Sequence, residues 1–143
     1  MNLRPAIPPD LWDLSKRLRA CDLREIALGS GKKPEDALVA AWHSSSLCEA
    51  ICTDNGVVAG VWGVAPTELP GIGSIWMLAS DEIESVALPF LRACESAVRR
   101  TGYTVLVCNP SRANALHLRW LDWLGFRPIG RGDKDFQPFI RHV

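Results

Sequence analysis

Three apolar runs constrain this chain most. They are VVAGVWGVAP (57–66), SIWMLAS (74–80) and TVLVC (104–108). Each is the length of a strand and too short for a buried helix. LCEAICT (47–53) precedes the first, and Asp54-Asn55-Gly56 lies between them. Asn-Gly between two apolar runs is a strong hairpin signal, because the turn it forms needs positive φ. SIWMLAS is apolar at successive positions and is therefore covered on both faces, in the middle of a sheet. Helical stretches alternate with these strands, so the expected class is α/β (α+β), a mixed sheet with helices on its faces.

The remaining elements follow from capping and periodicity. Residues 1–7 read as a short edge strand, held to the edge by Pro5. Pro8-Pro9-Asp10 opens a helix carrying Leu11, Leu14 and Leu18, which continues through Leu23 and Ile26 to Gly29 and Gly31. Pro34, Glu35 and Asp36 open a second helix running to about Ser44. A helix from Ser80 or Asp81 to about Arg100 follows the central strand, and Pro89 requires it to start late or bend. Asn109-Pro110 opens a helix, SRANALHLRWLDWL, closed by Gly125. FRPIG and FQPFIRHV form the last two strands. The predicted order is β-α-α-β-β-β-α-β-α-β-β over one domain, residues 1–143.

Charge is balanced, with 16 basic and 16 acidic residues. That gives no basic surface for nucleic acid, and neutrality favours self-association. No apolar run approaches the roughly 18 residues of a membrane span, and no signal peptide is visible. The five cysteines are scattered, and Cys48 and Cys52 make CxxxC with no matching pair, so no metal site is expected. Cys108 ends an apolar strand with no activating partner beside it in sequence, and reads as a buried, inert thiol.

The element order resembles the GNAT fold of acyl-CoA-dependent N-acetyltransferases, with a mostly antiparallel sheet of about six or seven strands. The segment NALHLRWLDWLGF (114–126) is similar to a GNAT helix of the form N-x-x-A-x-x-x-Y-x-x-x-G-F. His117 stands at the alanine position and Leu121 at the tyrosine position. In the enzymes that tyrosine often protonates the departing CoA thiolate, which leucine cannot do. The departures resemble a phage family, the internal virion protein A family of podophages and prophage relatives. DLREIALGSGKKPEDAL, VVAGVWGVAP, IWMLASDEI and GDKDFQPFIRHV resemble it too.

What the resemblance implies about the site is mixed. GNAT enzymes hold the CoA pyrophosphate on a turn of the form Q/R-x-x-G-x-G/A. Here Ser80 to Ser85 contains no glycine and three acids, Asp81, Glu82 and Glu84. Two like charges ~5 Å apart at an effective dielectric near 20 repel by about 3 kcal/mol, which opposes a bound phosphate. The expected function is therefore a catalytically degenerate phage or prophage protein. It would act in virion assembly through contacts with other virion proteins or its own copies, in the virion or host cytoplasm, without cofactor. A phage-encoded inhibitor of a host protein is a further reading.

The alternative is an acetyl-CoA-dependent N-acetyltransferase. Leu78, Ala79, Ser80 and Asn114 would then hold the cofactor, and His117 or Asp81 would act as base. Asp81 or Glu82 could pair with His117 across the cleft, and Trp76 could plug it. Trp120 and Trp123, one helical turn apart, are the candidate protein-contact residues.

Overall fold

The structure, a computed structural model, describes all residues 1–143. Seven strands form one sheet in the order β1-β2-β3-β4-β5-β7-β6. The strands are β1 (Asn2–Pro5), β2 (Leu47–Cys52), β3 (Val58–Pro66), β4 (Ile72–Ala79), β5 (Val105–Cys108), β6 (Arg127–Pro128) and β7 (Phe139–His142). All neighbours are antiparallel except β4 and β5. Gly56, at φ 82°, makes the β2–β3 turn that the Asn-Gly pair predicts.

Three helices, α1 (Pro8–Ser15), α2 (Ala20–Gly29) and α3 (Pro34–Ser44), separate β1 from β2. The sequence reading joined the first two. They are broken at Leu18, which makes an antiparallel bridge to Ser80 at the end of β4. The helix expected from Ser80 to Arg100 is also divided. A 3-10 helix (Asp81–Val86) comes first, and α4 (Ala87–Arg100) starts only where Pro89 falls in its first turn. Helix α5 (Ala115–Trp123) precedes β6 and starts later than the expected Ser111, because the Asn114 side chain caps it.

The two faces of the sheet have separate cores. Ile75, Met77 and Ala79 of β4 pack with α4 and α5 through Phe90, Cys94, Trp120 and Leu121. Trp76 and Leu78, alternating with them, pack toward Leu11, Leu14 and Leu38 of α1 and α3. The period-2 pattern of the central strand thus feeds both cores, as its apolar character on both faces requires. No helix is long and apolar enough to cross a membrane.

One feature of the sheet positions the site. β4 and β5 are paired only at Ile72–Val105, Gly73–Leu106 and Ser74–Val107. β4 then continues to Ala79 and β5 to Cys108 without pairing to each other. The two central strands therefore part into a V. Gly73 lies in the paired stretch, where a Cβ would come within 2.7 Å of both Tyr103 and Val64. Gly73→Ala is expected to lower stability by about 1–3 kcal/mol through this overpacking, read as a reduced midpoint in urea denaturation.

Candidate functional site

A strand that leaves its neighbour inside a protein must find other partners for its backbone. Here α2 and the segment before it supply them. The Ala79 carbonyl accepts from the Arg19 N–H at 2.9 Å. The Ala79 N–H donates to Asp22 Oδ2 at 2.9 Å. On the other arm, the Ser111 N–H donates to Glu25 Oε1 at 3.1 Å. Asn114 ties the arms together, its Nδ2 donating to Asp22 Oδ1 at 2.9 Å and to Glu25 Oε2 at 2.7 Å. Its Oδ1 accepts the His117 N–H at 3.3 Å and so caps α5. Asn114 spends its donors and its acceptor on this clasp.

His117 sits at the bottom of the V, 6% exposed. Its Nδ1 lies 3.6 Å from Glu25 Oε2 and its Nε2 lies 3.9 Å from Cys108 Sγ. Burial opposes a charged imidazole, but the Cys108 sulfur and the Glu25 carboxylate outweigh it and push His117 up to about 10. A raised pKa favours the proton-bearing imidazole, which can give a proton as well as take one. Burial also pushes the Asp22 carboxyl up, against its bonds from Ala79 and Asn114. Glu25 is held below the usual carboxylate range: burial acts upward, and His117, Asn114 and the Ser111 N–H overcome it. No three His, Cys, Asp or Glu side chains are arranged to hold a metal ion.

On the α4/α5 side of the V lies an apolar cavity of about 410 Å³. Met77 of β4, Ile83 of the 3-10 helix, Phe90 of α4, and Leu116, Trp120 and Trp123 of α5 line it, with Glu84 and Arg119 as its polar residues. Trp120 stacks on Phe90 with ring centroids 6.0 Å apart and lies 5.5 Å from the His117 ring. Its indole N–H reaches Cys94 Sγ at 3.2 Å. Trp120 is therefore a buried wall of the cavity and not a contact surface. Trp123, 64% exposed, stands at its mouth.

The other predicted residues are dispersed. Asp81 is exposed and makes no pair with His117, whose partner is Glu25. Glu82 bonds Arg17 at 3.2 Å. Ser80 is fully buried and its hydroxyl donates to the Ala59 carbonyl at 3.1 Å. Leu78 faces the α1–α3 core, away from the cavity, whereas Ala79 faces the α4/α5 core. Trp76 also faces away and bonds Ser45 Oγ at 2.8 Å, so it does not plug the V. Leu121 is fully buried. Asp22 and Glu25 were missed, although two acids at i and i+3 beside Ile26, in a helix with an apolar stripe, are the signal that marks them. Cys108 does have a partner, His117, which comes from nine residues further along and is invisible to a reading of neighbours in sequence.

No protein-family model and no curated protein matches the sequence. Solved structures do. The GNAT domain of S. lividans PAT superposes with a TM-score of 0.75 at 12% identity, over 99% of this chain and 89% of that one. Ribosomal-protein-alanine N-acetyltransferase from Brucella melitensis gives 0.73 at 15% identity over the full length of both chains. A Bacillus subtilis acetyltransferase in complex with CoA gives 0.63 at 16% identity, over 99% and 97%. The chain has the GNAT fold. These matches also correct the expected function. A degenerate virion-assembly protein was inferred from the missing glycine turn and from Leu121, but the structures that share this fold over the whole chain are acetyltransferases. The strands part beside an apolar cavity, and the Asp22, Glu25 and Asn114 side chains bridge the gap between them.

The His117–Glu25 pair has a pH signature. A folded pKa raised above the ordinary 6.5 means stabilisation that is fully present below about pH 6.5 and is lost as pH rises toward about 10. Urea midpoints measured from pH 6.5 to 10 should fall with rising pH in the native protein. His117→Gln should be less stable at pH 6.5 and show a flatter profile.

Proposed function

We propose that this protein is an acetyl-CoA-dependent N-acetyltransferase. The observation that carries the reading is the V: two central strands that part after Ser74 and Val107, with an apolar cavity beside the opening and a buried titratable cluster at its base. Such a cleft lets a thin, flexible arm run between the strands with its reactive end against polar side chains. The fold likeness to acetyltransferases supports the same reading.

The residues fit the two ends of the donor differently. The pantetheine arm is thin and carries apolar stretches, and the cavity between α4 and α5 matches it in character and size. Trp120 and Trp123 would cover the arm and exclude water from it. The phosphate end would meet Asp81, Glu82 and Glu84, all exposed and without a glycine among them. Arg17, the cation bonded to Glu82, is also held by Asp13 at 2.7 Å. Binding is therefore expected to be weak, near ~100 μM, about −5.5 kcal/mol.

Bound acetyl-CoA supplies the acetyl group as a thioester. The chain's own part is to hold a proton where the thiol departs. With Leu121 unable to give one, His117 takes that role through Nε2, which faces Cys108, while Nδ1 faces Glu25. Asp22 and Glu25 bridge the arms of the V, and Glu25 fixes the imidazole.

Calorimetric titration with acetyl-CoA, with free CoA alongside, tests the reading. Glu82→Gln and Glu84→Gln should each tighten binding about two- to tenfold at low ionic strength, with less gain in salt. No heat at millimolar ligand from the folded native protein would overturn the proposal.

A further inference from the structure

Cys108, His117 and Glu25 come from three separate elements, β5, α5 and α2, and meet at the base of the V in a nucleophile–histidine–carboxylate arrangement. We propose that Cys108 is a catalytic nucleophile that carries the acyl group between the thioester donor and the amine, with His117 as its proton partner and Glu25 as the positioning residue.

The geometry has the parts this chemistry needs. The two ring nitrogens of His117 face different partners, Cys108 Sγ at 3.9 Å and Glu25 Oε2 at 3.6 Å. Glu25 is anchored by the Ser111 N–H and by Asn114, so the imidazole has a fixed orienter. Cys108 belongs to the same apolar cluster as Met77 and Trp120, both of which line the cavity. The sulfur thus lies on the cavity's side of the sheet, behind the lining residues Met77 and Trp120 and not itself in the cavity wall.

The steps balance. The Cys108 sulfur attacks the thioester carbonyl and a new S–C(acyl) bond forms. The donor's own C–S bond breaks, and its thiolate leaves with the proton held by the Cys108–His117 pair. The acceptor amine then attacks the acyl carbon on Cys108. The amine proton passes to His117, the S–C bond breaks, and the pair is restored with one amide formed. No oxidant, metal or further reactant enters.

The inference deepens the acetyltransferase reading and rests on it for the identity of the donor, not for the reactivity of the thiol. The test uses the native chain and two probes. Brief treatment with iodoacetamide at neutral pH, followed by peptide mass spectrometry, should label Cys108 faster than the same thiol in urea-unfolded chain. Cys48 and Cys94 serve as controls, pushed up by burial to about 12 and about 11. Incubation with a small acetyl thioester, S-acetyl-N-acetylcysteamine, should add one acetyl group at Cys108. The adduct should be absent in Cys108→Ala and form about 100-fold more slowly in His117→Gln. Glu25→Gln should slow it too while leaving iodoacetamide access to Cys108 intact. Acetylation of Cys108 by the small thioester without calorimetric binding of acetyl-CoA would support the relay and overturn only the choice of donor. Binding of acetyl-CoA with Cys108 neither acetylated nor faster than in the unfolded chain would overturn the relay and leave direct attack by the amine.

Discussion

The clasp formed by Asp22 and Glu25 is the interaction on which the rest depends. Two neighbouring strands in a buried sheet are held together by their hydrogen bonds, and parting them exposes amides that must be satisfied. Asp22 takes the Ala79 N–H on one arm, Glu25 takes the Ser111 N–H on the other, and Asn114 bonds both carboxylates. Burying two acids is costly unless each is fully bonded, and here their bonds do the work that strand pairing would otherwise do. The V is therefore a built opening and not a local defect.

From that opening the electrostatics divide into an interior and a mouth. Inside, Cys108 and Glu25 push the His117 pKa up against the effect of its burial. Beside it, the cavity walls are apolar and the only polar residues along them are Glu84 and Arg119. At the outer end, the 3-10 helix replaces a glycine-bearing turn and presents carboxylates. The site is thus suited to an apolar arm with a reactive carbonyl and poorly suited to dense negative charge. This balance explains why a reading based on the phosphate turn alone differs from one that takes in the cleft as a whole.

Much of the fold was legible because its signals are local. The Asn55-Gly56 hairpin, the two-faced SIWMLAS strand, and the helix closed by Gly125 each carry their own evidence. The break between α1 and α2 was not, since Leu18 leaves the helix to bridge Ser80, a partner far away in sequence. The site was legible only in part. Asn114 and His117 stand out together at one helix, but their meaning lies in Asp22, Glu25 and Cys108, which two other stretches, α2 and β5, deliver to the same point. Trp120 and Trp123 look alike in sequence, and the turn of the helix buries one and exposes the other.

The central claim is that a thioester donor binds in the V between β4 and β5. It is tested most directly by a heteronuclear NMR titration with acetyl-CoA, following the indole N–H groups and the backbone amides. Binding in the cleft predicts shifts at the Trp120 and Trp123 indoles and the Ala79 amide, with the Trp12 and Trp42 indoles unmoved. Shifts confined to Trp12 and Trp42, or no shifts at saturating ligand, would contradict it.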